Sequence, residues 1–255
     1  MVGTFKKTAV IISQVRLTED VFSMWIQDSQ IAAAAKPGQF LSLYCKNGNR
    51  LLPRPISICE IDKENGKLRL VYRVVGDGTE EFSHYNTSDT IDVLGPLGNG
   101  FFPEGKKAIL IGGGIGIPPM LELAKQLNCE KKIVLGYRDI TFLDKEFEEY
   151  GEVYISTEDG STGTKGNVID AIKANGLEGD LIFACGPAPM LRGVKAYANE
   201  MGIKAQLSME ERMACGIGAC LACVCKSREK DHHTNVNNKR ICKDGPVFYS
   251  DEIEI

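Results

Sequence analysis

The sequence predicts a multidomain α+β protein in three parts: an antiparallel β-barrel, a doubly wound α/β domain, and a small C-terminal domain that carries cysteines. Three observations support this. Up to Leu94 the chain reads as short apolar strands broken by turn residues. From Lys107 to Ser208 strands alternate with helical segments, the pattern of a parallel sheet. Five of the nine cysteines then fall between Cys215 and Cys242, which is not how a disulfide framework is spread. We place the domains at 1–102, 103–208 and 209–255.

The bulk composition narrows the function classes. With 255 residues, 43% hydrophobic and 25% charged, the chain can bury real cores. A formal charge of −4 and the lack of a basic stripe argue against nucleic acid as a partner. The N-terminal apolar run is too short for a signal peptide, and no apolar stretch is long enough to cross a bilayer. A cytoplasmic protein without membrane contact is therefore expected.

The first part gives six strands: Ala9–Val15, Val21–Ile26, Phe40–Tyr44, Ile56–Ile61, Lys67–Val75 and Thr90–Leu94. Breaks such as Lys36-Pro-Gly and Lys63-Glu-Asn-Gly separate them, and one short helix is expected at Thr79–Tyr85. The second part gives strands at Ala108–Ile111, Lys132–Tyr137, Val153–Ser156, Leu181–Ala184 and Lys204–Ser208. Helices are expected at Pro118–Gln126, Phe142–Glu149, Asn167–Ala174 and Pro187–Asn199. Together these make a five-stranded parallel sheet whose ligand should lie at the carboxyl ends of the strands.

Two turns in this sheet carry chemistry. Ile111-Gly-Gly-Gly-Ile-Gly-Ile-Pro-Pro lets backbone approach a pyrophosphate, and its prolines suit the first turn of a helix whose N-terminus favours an anion. Ile117 stands where the dinucleotide fingerprint would have its third glycine. At the end of the fourth strand, Cys185-Gly-Pro puts a small, soft surface where a ligand ring would sit, although a cysteine buried before a turn reads the same way.

The densest stretch is Cys215-Gly-Ile-Gly-Ala-Cys-Leu-Ala-Cys-Val-Cys. Cys215, Cys220 and Cys223 stand at the C-x4-C-x2-C spacing of plant-type [2Fe–2S] sites, and Cys242 supplies the fourth thiolate from further along. Small residues between the ligands let the loop fold around a cluster. A structural zinc site and a disulfide group are the alternatives. Cys225 is left over, pointing with Cys223 to one face of a strand. His232 and His233 lie in a polar run, where exposed side chains are expected rather than metal ligands. That run reads as a solvated excursion with hairpin character before Cys242.

Gly113-Gly-Ile-Gly-Ile-Pro-Pro and Cys185-Gly-Pro-Ala-Pro-Met resemble the two nicotinamide-binding motifs of the ferredoxin-NADP reductase superfamily, whose members place a flavin-binding barrel before the α/β domain. The resemblance implies nicotinamide contacts at Gly113, Gly114, Gly116, Cys185, Gly186 and Pro187. Arg54-Pro-Ile-Ser resembles that family's Arg-x-x-Ser flavin motif, which implies FAD contacts at Arg54, Pro55, Ile56 and Ser57. Val71-Tyr-Arg and Gly78-Thr resemble the next two FAD contacts, adding Val71, Tyr72, Arg73, Gly78 and Thr79. Gly78-Thr79 would offer backbone donors and a hydroxyl at a helix start.

The whole chain in domain order and length, including Glu211-Arg-Met-Ala-Cys-Gly-Ile-Gly-Ala-Cys, resembles the electron-transfer subunits of type B dihydroorotate dehydrogenase. That implies a path from an FMN-containing catalytic subunit through [2Fe–2S] and FAD to NAD+ in pyrimidine biosynthesis, with a heterotetramer of two of each chain. No general acid or nucleophile is required. The small subunits of bifurcating NADH-dependent ferredoxin-NADP reductases and sulfide dehydrogenases share the architecture, and a zinc-stabilised nucleotide sensor is the non-redox alternative. Two further expectations concern the surroundings of these sites. Glu158 and Asp159, after the third α/β strand, should favour NAD over NADP. The small apolar residues of the cysteine loop, Gly216, Ile217, Gly218, Ala219, Leu221 and Ala222, should form a patch that a partner covers, unless they fold back on the barrel.

Overall fold

The computed structural model describes residues 3–230 and 235–255, so His232 and His233 lie outside the described residues. Strands β1 (Phe5–Arg16), β2 (Val21–Gln27), β3 (Phe40–Tyr44), β4 (Arg54–Asp62), β5 (Lys67–Arg73) and β6 (Thr90–Leu97) close into an antiparallel barrel in the order β1-β2-β5-β4-β3-β6. Closure gives every strand of the barrel two neighbours. Ile11, Met24, Ile26, Leu41, Leu43, Ile58, Leu68 and Leu70 fill its interior.

Two short helices are attached to the barrel. α1 (Ser29–Ala34) has no counterpart in the sequence reading, because six residues are too few for a helical period to show. Its only sign is Asp28, whose carboxylate accepts from the Ile31 N–H at 2.9 Å as an N-cap. α2 (Asp77–Ser83) starts two residues earlier than expected and buries Phe82 edge-on against Tyr72, ring centres 6.2 Å apart. The Gln14 amide of β1 donates to the carbonyls of Phe82 and Tyr85 at 2.9 and 2.8 Å, satisfying groups that a helix end leaves open.

The second part runs β7 (Lys107–Gly113), α3 (Pro118–Gln126), β8 (Glu130–Tyr137), α4 (Asp144–Phe147), β9 (Glu152–Thr157), β10 (Thr164–Lys165), α5 (Val168–Ala174), β11 (Leu181–Cys185), α6 (Ala188–Met201) and β12 (Lys204–Ser208). Pro118 and Pro119 open α3, and an Asn167/Asp170 capping box opens α5. The chain builds outward from β7 through β8 and β9, then returns to lay β11 and β12 on the other side. The strand order therefore reverses between β7 and β11, where ligands of such sheets bind.

The last segment forms a small hairpin, β13 (Val224–Lys226) with β14 (Asn238–Arg240), then α7 (Ile241–Asp244) and β15 (Val247–Tyr249). The polar run thus does have hairpin flanks. The expected five-stranded sheet is the middle of a seven-stranded one, because β10 adds one edge and β15 pairs antiparallel with β12 at the other. Neither addition shows a period, being two and three residues long. The same segment is tied to the end of the barrel. Asn99 donates from its backbone N–H to Gly245 O at 2.7 Å and from its side chain to Asp244 O at 2.9 Å.

Candidate functional site

The structure draws the four expected cluster cysteines into one loop system. Cys215 Sγ and Cys220 Sγ lie 3.3 Å apart. Backbone amides point at the sulfurs: Gly218 N–H at Cys242 Sγ (3.1 Å), Cys220 N–H at Cys215 Sγ (3.4 Å) and Cys242 N–H at Cys223 Sγ (3.4 Å). Gly216 and Gly218 adopt left-handed backbone, with φ of 69° and 80°, which turns the loop back on its own thiols. Burial pushes the Cys215 thiol up, yet hydrogen bonds from the Cys220, Ile217 and Ala219 amides and from the Cys220 thiol outweigh it and bring it down to about 6. Cys242, buried and bonded to Cys223, is pushed up to about 12.

This donor set fits a two-iron cluster. Cys215 lies beside Cys220 and Cys223 beside Cys242, and each iron of a [2Fe–2S] centre held by four cysteines takes two thiolates. Cys225 sits on β13 opposite Lys239, packed against the core, with burial pushing its thiol up to about 11. The loop's small residues divide between two surroundings. Gly216 is buried against the barrel, where an added Cβ would stand 2.8 Å from Ser42 Oγ, and Ile217 packs on the core. Ala219, Ala222 and Leu221, the last 62% exposed, face outward.

The flavin motif lies next to this loop. Ser42 of β3 pairs with Pro55 of β4, and Leu41 and Phe40 pair with Ile56 and Ser57. The Arg54 guanidinium lies across the first turn of α2: a Cβ on Gly78 would stand 1.9 Å from Arg54 Nε, so only glycine admits it. The Thr79 hydroxyl accepts from the Val75 N–H at 3.0 Å and donates to Gly76 O at 2.9 Å, spending its hydrogen bonds within its own loop. Val71 and Tyr72 offer a ligand almost no surface, being 3% and 1% exposed. Strand alternation explains this, since it sends Tyr72 into the barrel and Val71 to the junction with the α/β domain. Arg73 pairs with Asp20 at 2.9 Å and lines the neighbouring cleft.

That cleft, of about 580 Å³, opens at the carboxyl ends of β7, β8, β9 and β11. Gly113, Gly114 and Pro187 line it. Gly116 and Gly186 hold the two turns together: a Cβ on Gly116 would stand 2.4 Å from Cys185 O, and one on Gly186 would stand 2.4 Å from Met190 Cε. Cys185 is buried behind them, its thiol pushed up to about 12. Glu158 lines the cleft, whereas Asp159 accepts from the Ser161 N–H at 2.9 Å and belongs to its own turn.

Sequence reasoning missed several cleft residues. Ser156 is fully buried at the end of β9, its hydroxyl without a hydrogen-bond partner among the described residues, and it borders the cleft. Asn167, which lines the cleft, was visible only as the first residue of an expected helix. The β1–β2 turn, Thr18 to Asp20, reaches the cleft from the barrel, and nothing local in the sequence signals that.

Residues 210–254 match the iron-sulfur cluster binding domain of dihydroorotate dehydrogenase B. The chain is 48% identical to the dihydroorotate dehydrogenase B (NAD(+)) electron transfer subunit of Listeria monocytogenes, covering 96% of this chain and 97% of that protein. It is 43% identical to the subunit of the same name from Fusobacterium nucleatum, with coverage of 94% and 95%. Among solved structures, an NADH-dependent reduced ferredoxin-NADP oxidoreductase studied for flavin-based electron bifurcation superposes with a TM-score of 0.87 at 32% identity, covering 96% of this chain and 89% of that one. The ferredoxin reductase of carbazole 1,9a-dioxygenase shares the fold, with a TM-score of 0.67 at 20% identity over 78% of this chain and 67% of that one. With a barrel, a cleft at the carboxyl ends of the sheet and a four-cysteine loop in one chain, and 43–48% identity over nearly the full length to these two subunits, the chain belongs to the family of electron transfer subunits of NAD-dependent dihydroorotate dehydrogenase B.

Proposed function

We propose that this chain connects an FMN-containing, dihydroorotate-oxidising subunit to NAD+, with a cluster on Cys215, Cys220, Cys223 and Cys242, FAD on the barrel, and the nicotinamide nucleotide in the cleft. One observation carries the reading: the cysteine loop rests on Ser42, whose strand partner is Pro55 of the flavin motif, while the nucleotide cleft opens at the junction of barrel and α/β domain. The three sites adjoin in the order that electrons would need. When bound, the flavin supplies the exchange between single electrons from a cluster and the hydride that nicotinamide takes.

The chain's own residues bind and orient. Arg54 offers a guanidinium to a pyrophosphate beside the Gly78 backbone, where no side chain intervenes. Pro55, Ile56 and Ser57 form the strand along which the ring would lie, and Thr79 fixes the Val75–Gly76 loop. Val71 and Tyr72 support that wall from behind, and Arg73 serves the nucleotide cleft with Asp20. Gly113, Gly114, Gly116, Gly186 and Pro187 let the nucleotide approach backbone, with Cys185 packed behind. Glu158 opposes a 2′-phosphate. No side chain need act as acid or base.

We read the division 1–102, 103–208 and 209–255 as flavin, nicotinamide and cluster parts, and the assembly as two of each chain. Nine cysteines outside any disulfide, four of them assigned to the cluster, suit a reducing compartment such as the cytoplasm. The outward Ala219, Leu221 and Ala222 give the catalytic subunit an apolar surface to cover. Mixing experiments test this reading. Alone, the chain should reduce artificial dyes with NADH and form no NADH from dihydroorotate, and adding the FMN subunit should create that activity. Dihydroorotate-linked NADH formation by this chain alone would overturn the division of labour. Failure of a mixture in which both chains hold their cofactors would favour a role like that of the bifurcating relative.

A further inference from the structure

The barrel and the α/β domain meet in an apolar core to which the barrel gives Val21, Cys59 and Val71 and its neighbour gives Met120, Leu121 and Phe183. Apolar burial is non-directional, so it holds the two together without setting their relative orientation. Two polar links, one buried and one partly exposed, cross the same junction and do have direction.

The first starts at a gap in the barrel. The ladder between β4 and β3 ends at Ser57, and a bulge breaks the pairing of β4 with β5 between Ile58 and Glu60. Past Ile58, whose N–H still donates to Gln39 O at 3.0 Å, the β3 side of β4 has no strand partner, and a buried N–H there needs an acceptor. Glu122 of α3, 1% exposed, provides it, with Oε2 accepting from the Ile61 N–H at 2.7 Å. The other carboxylate oxygen accepts from the Gln126 amide. Burial pushes the Glu122 carboxyl up, so it is kept there against its own preference for water. The second link is Arg69 of β5, 8% exposed. It donates to Ser23 Oγ at 2.9 Å and Glu60 at 2.7 Å within the barrel, and across the junction to Glu146 of α4 at 3.1 Å.

These links join particular elements. α3 follows directly from the Gly113–Gly116 turn, and β4 carries Arg54 to Ser57. We propose that Glu122 and Arg69 are positioning residues for hydride transfer: they fix the orientation of the nucleotide cleft against the flavin strand, so that NADH becomes NAD+ as the flavin takes up the hydride at close range. The proposal rests on the reading that the barrel holds FAD and the cleft holds the nicotinamide. Misplacing reacting groups by about 1 Å can cost on the order of 100-fold in rate, which makes a rigid junction consequential.

The test compares Glu122→Met, Glu122→Gln and Glu146→Gln in the full chain. Four quantities are read: FAD content, equilibrium affinity for NADH, hydrogen exchange of the Ile61 amide, and the rate of flavin bleaching per bound FAD after mixing with NADH. Glu122→Met should speed Ile61 exchange and slow bleaching by about 10-fold or more, with FAD content and NADH affinity within about twofold of the parent. Glu122→Gln keeps an acceptor and should stay near the parent. Glu146→Gln, at a partly exposed carboxylate, should slow bleaching by about threefold. An unchanged bleaching rate in Glu122→Met despite faster Ile61 exchange overturns the proposal, as does a loss that tracks loss of FAD or of NADH affinity. If Glu122→Met does not fold, an unchanged rate in Glu146→Gln overturns it. A parent that binds no FAD, or whose flavin NADH does not bleach, contradicts the underlying reading instead.

Discussion

The nucleotide cleft and the cysteine loop are both built from glycines and small residues, yet different things hold them in shape. Parallel strands, two helix starts and the contact of Gly116 with Cys185 O define the cleft, all of it backbone belonging to the sheet. In the cysteine loop, residues 215–223 have no regular structure, and its turns are fixed by amides aimed at sulfur and by the seat of Gly216 on Ser42. The cleft is thus a property of the fold, whereas the loop is shaped around the group its thiols would bind.

The largest expected effect separates the two regions. Cys220→Ser should remove essentially all iron and expose the amides of residues 215–223 to hydrogen exchange, while FAD content and protection at the Gly113–Gly116 turn stay at parental levels. Iron retained in full would break the distinction at its root. Next in size, Arg54→Ala removes a charge-assisted hydrogen bond of roughly 1.5–3 kcal/mol, so FAD should bind about 10- to 100-fold more weakly, measured by flavin release on dilution. Binding as tight as the parent's would mean the guanidinium lies across α2 for structural reasons only.

A smaller effect sharpens the picture of the cleft. NADH should be preferred over NADPH in steady-state kinetics, and Glu158→Gln should narrow that preference by about fivefold, the worth of roughly 1 kcal/mol of repulsion in water. A parent that prefers NADPH would contradict the role given to Glu158. The smallest effect belongs to the loop's seat. Gly216→Ala forces a Cβ into left-handed backbone 2.8 Å from Ser42 Oγ, costing roughly 1–2 kcal/mol, so the melting temperature should fall by a few degrees with iron still bound. An unchanged melting temperature would show that the loop does not depend on this contact.

What could be read from the sequence follows the same division. The barrel strands, the five parallel strands and the two glycine turns at their carboxyl ends were legible because each is a local pattern of period and punctuation. The cysteine spacing was legible because chemistry fixes it. What escaped was set by distance: the β1–β2 turn reaching the cleft, the pairing of Arg73 with Asp20 from that turn, and β15 completing a sheet that begins 140 residues earlier at β7. Val71 and Tyr72 lie on the expected strand, and the face each turns to depends on which neighbours close the barrel. Glu122, a charged residue inside an otherwise apolar helix face, is intelligible only once the open edge of β4 is seen beside it.

The most direct test of electron passage through the cysteine loop uses Cys220→Ser together with the FMN catalytic subunit. Flavin bleaching by NADH, which needs only barrel and cleft, should proceed at the parental rate in the variant. NADH formation from dihydroorotate in the mixed system should be abolished. Dihydroorotate-linked NADH formation persisting in an iron-free variant would contradict the account, because electrons would then reach the flavin without the four cysteines.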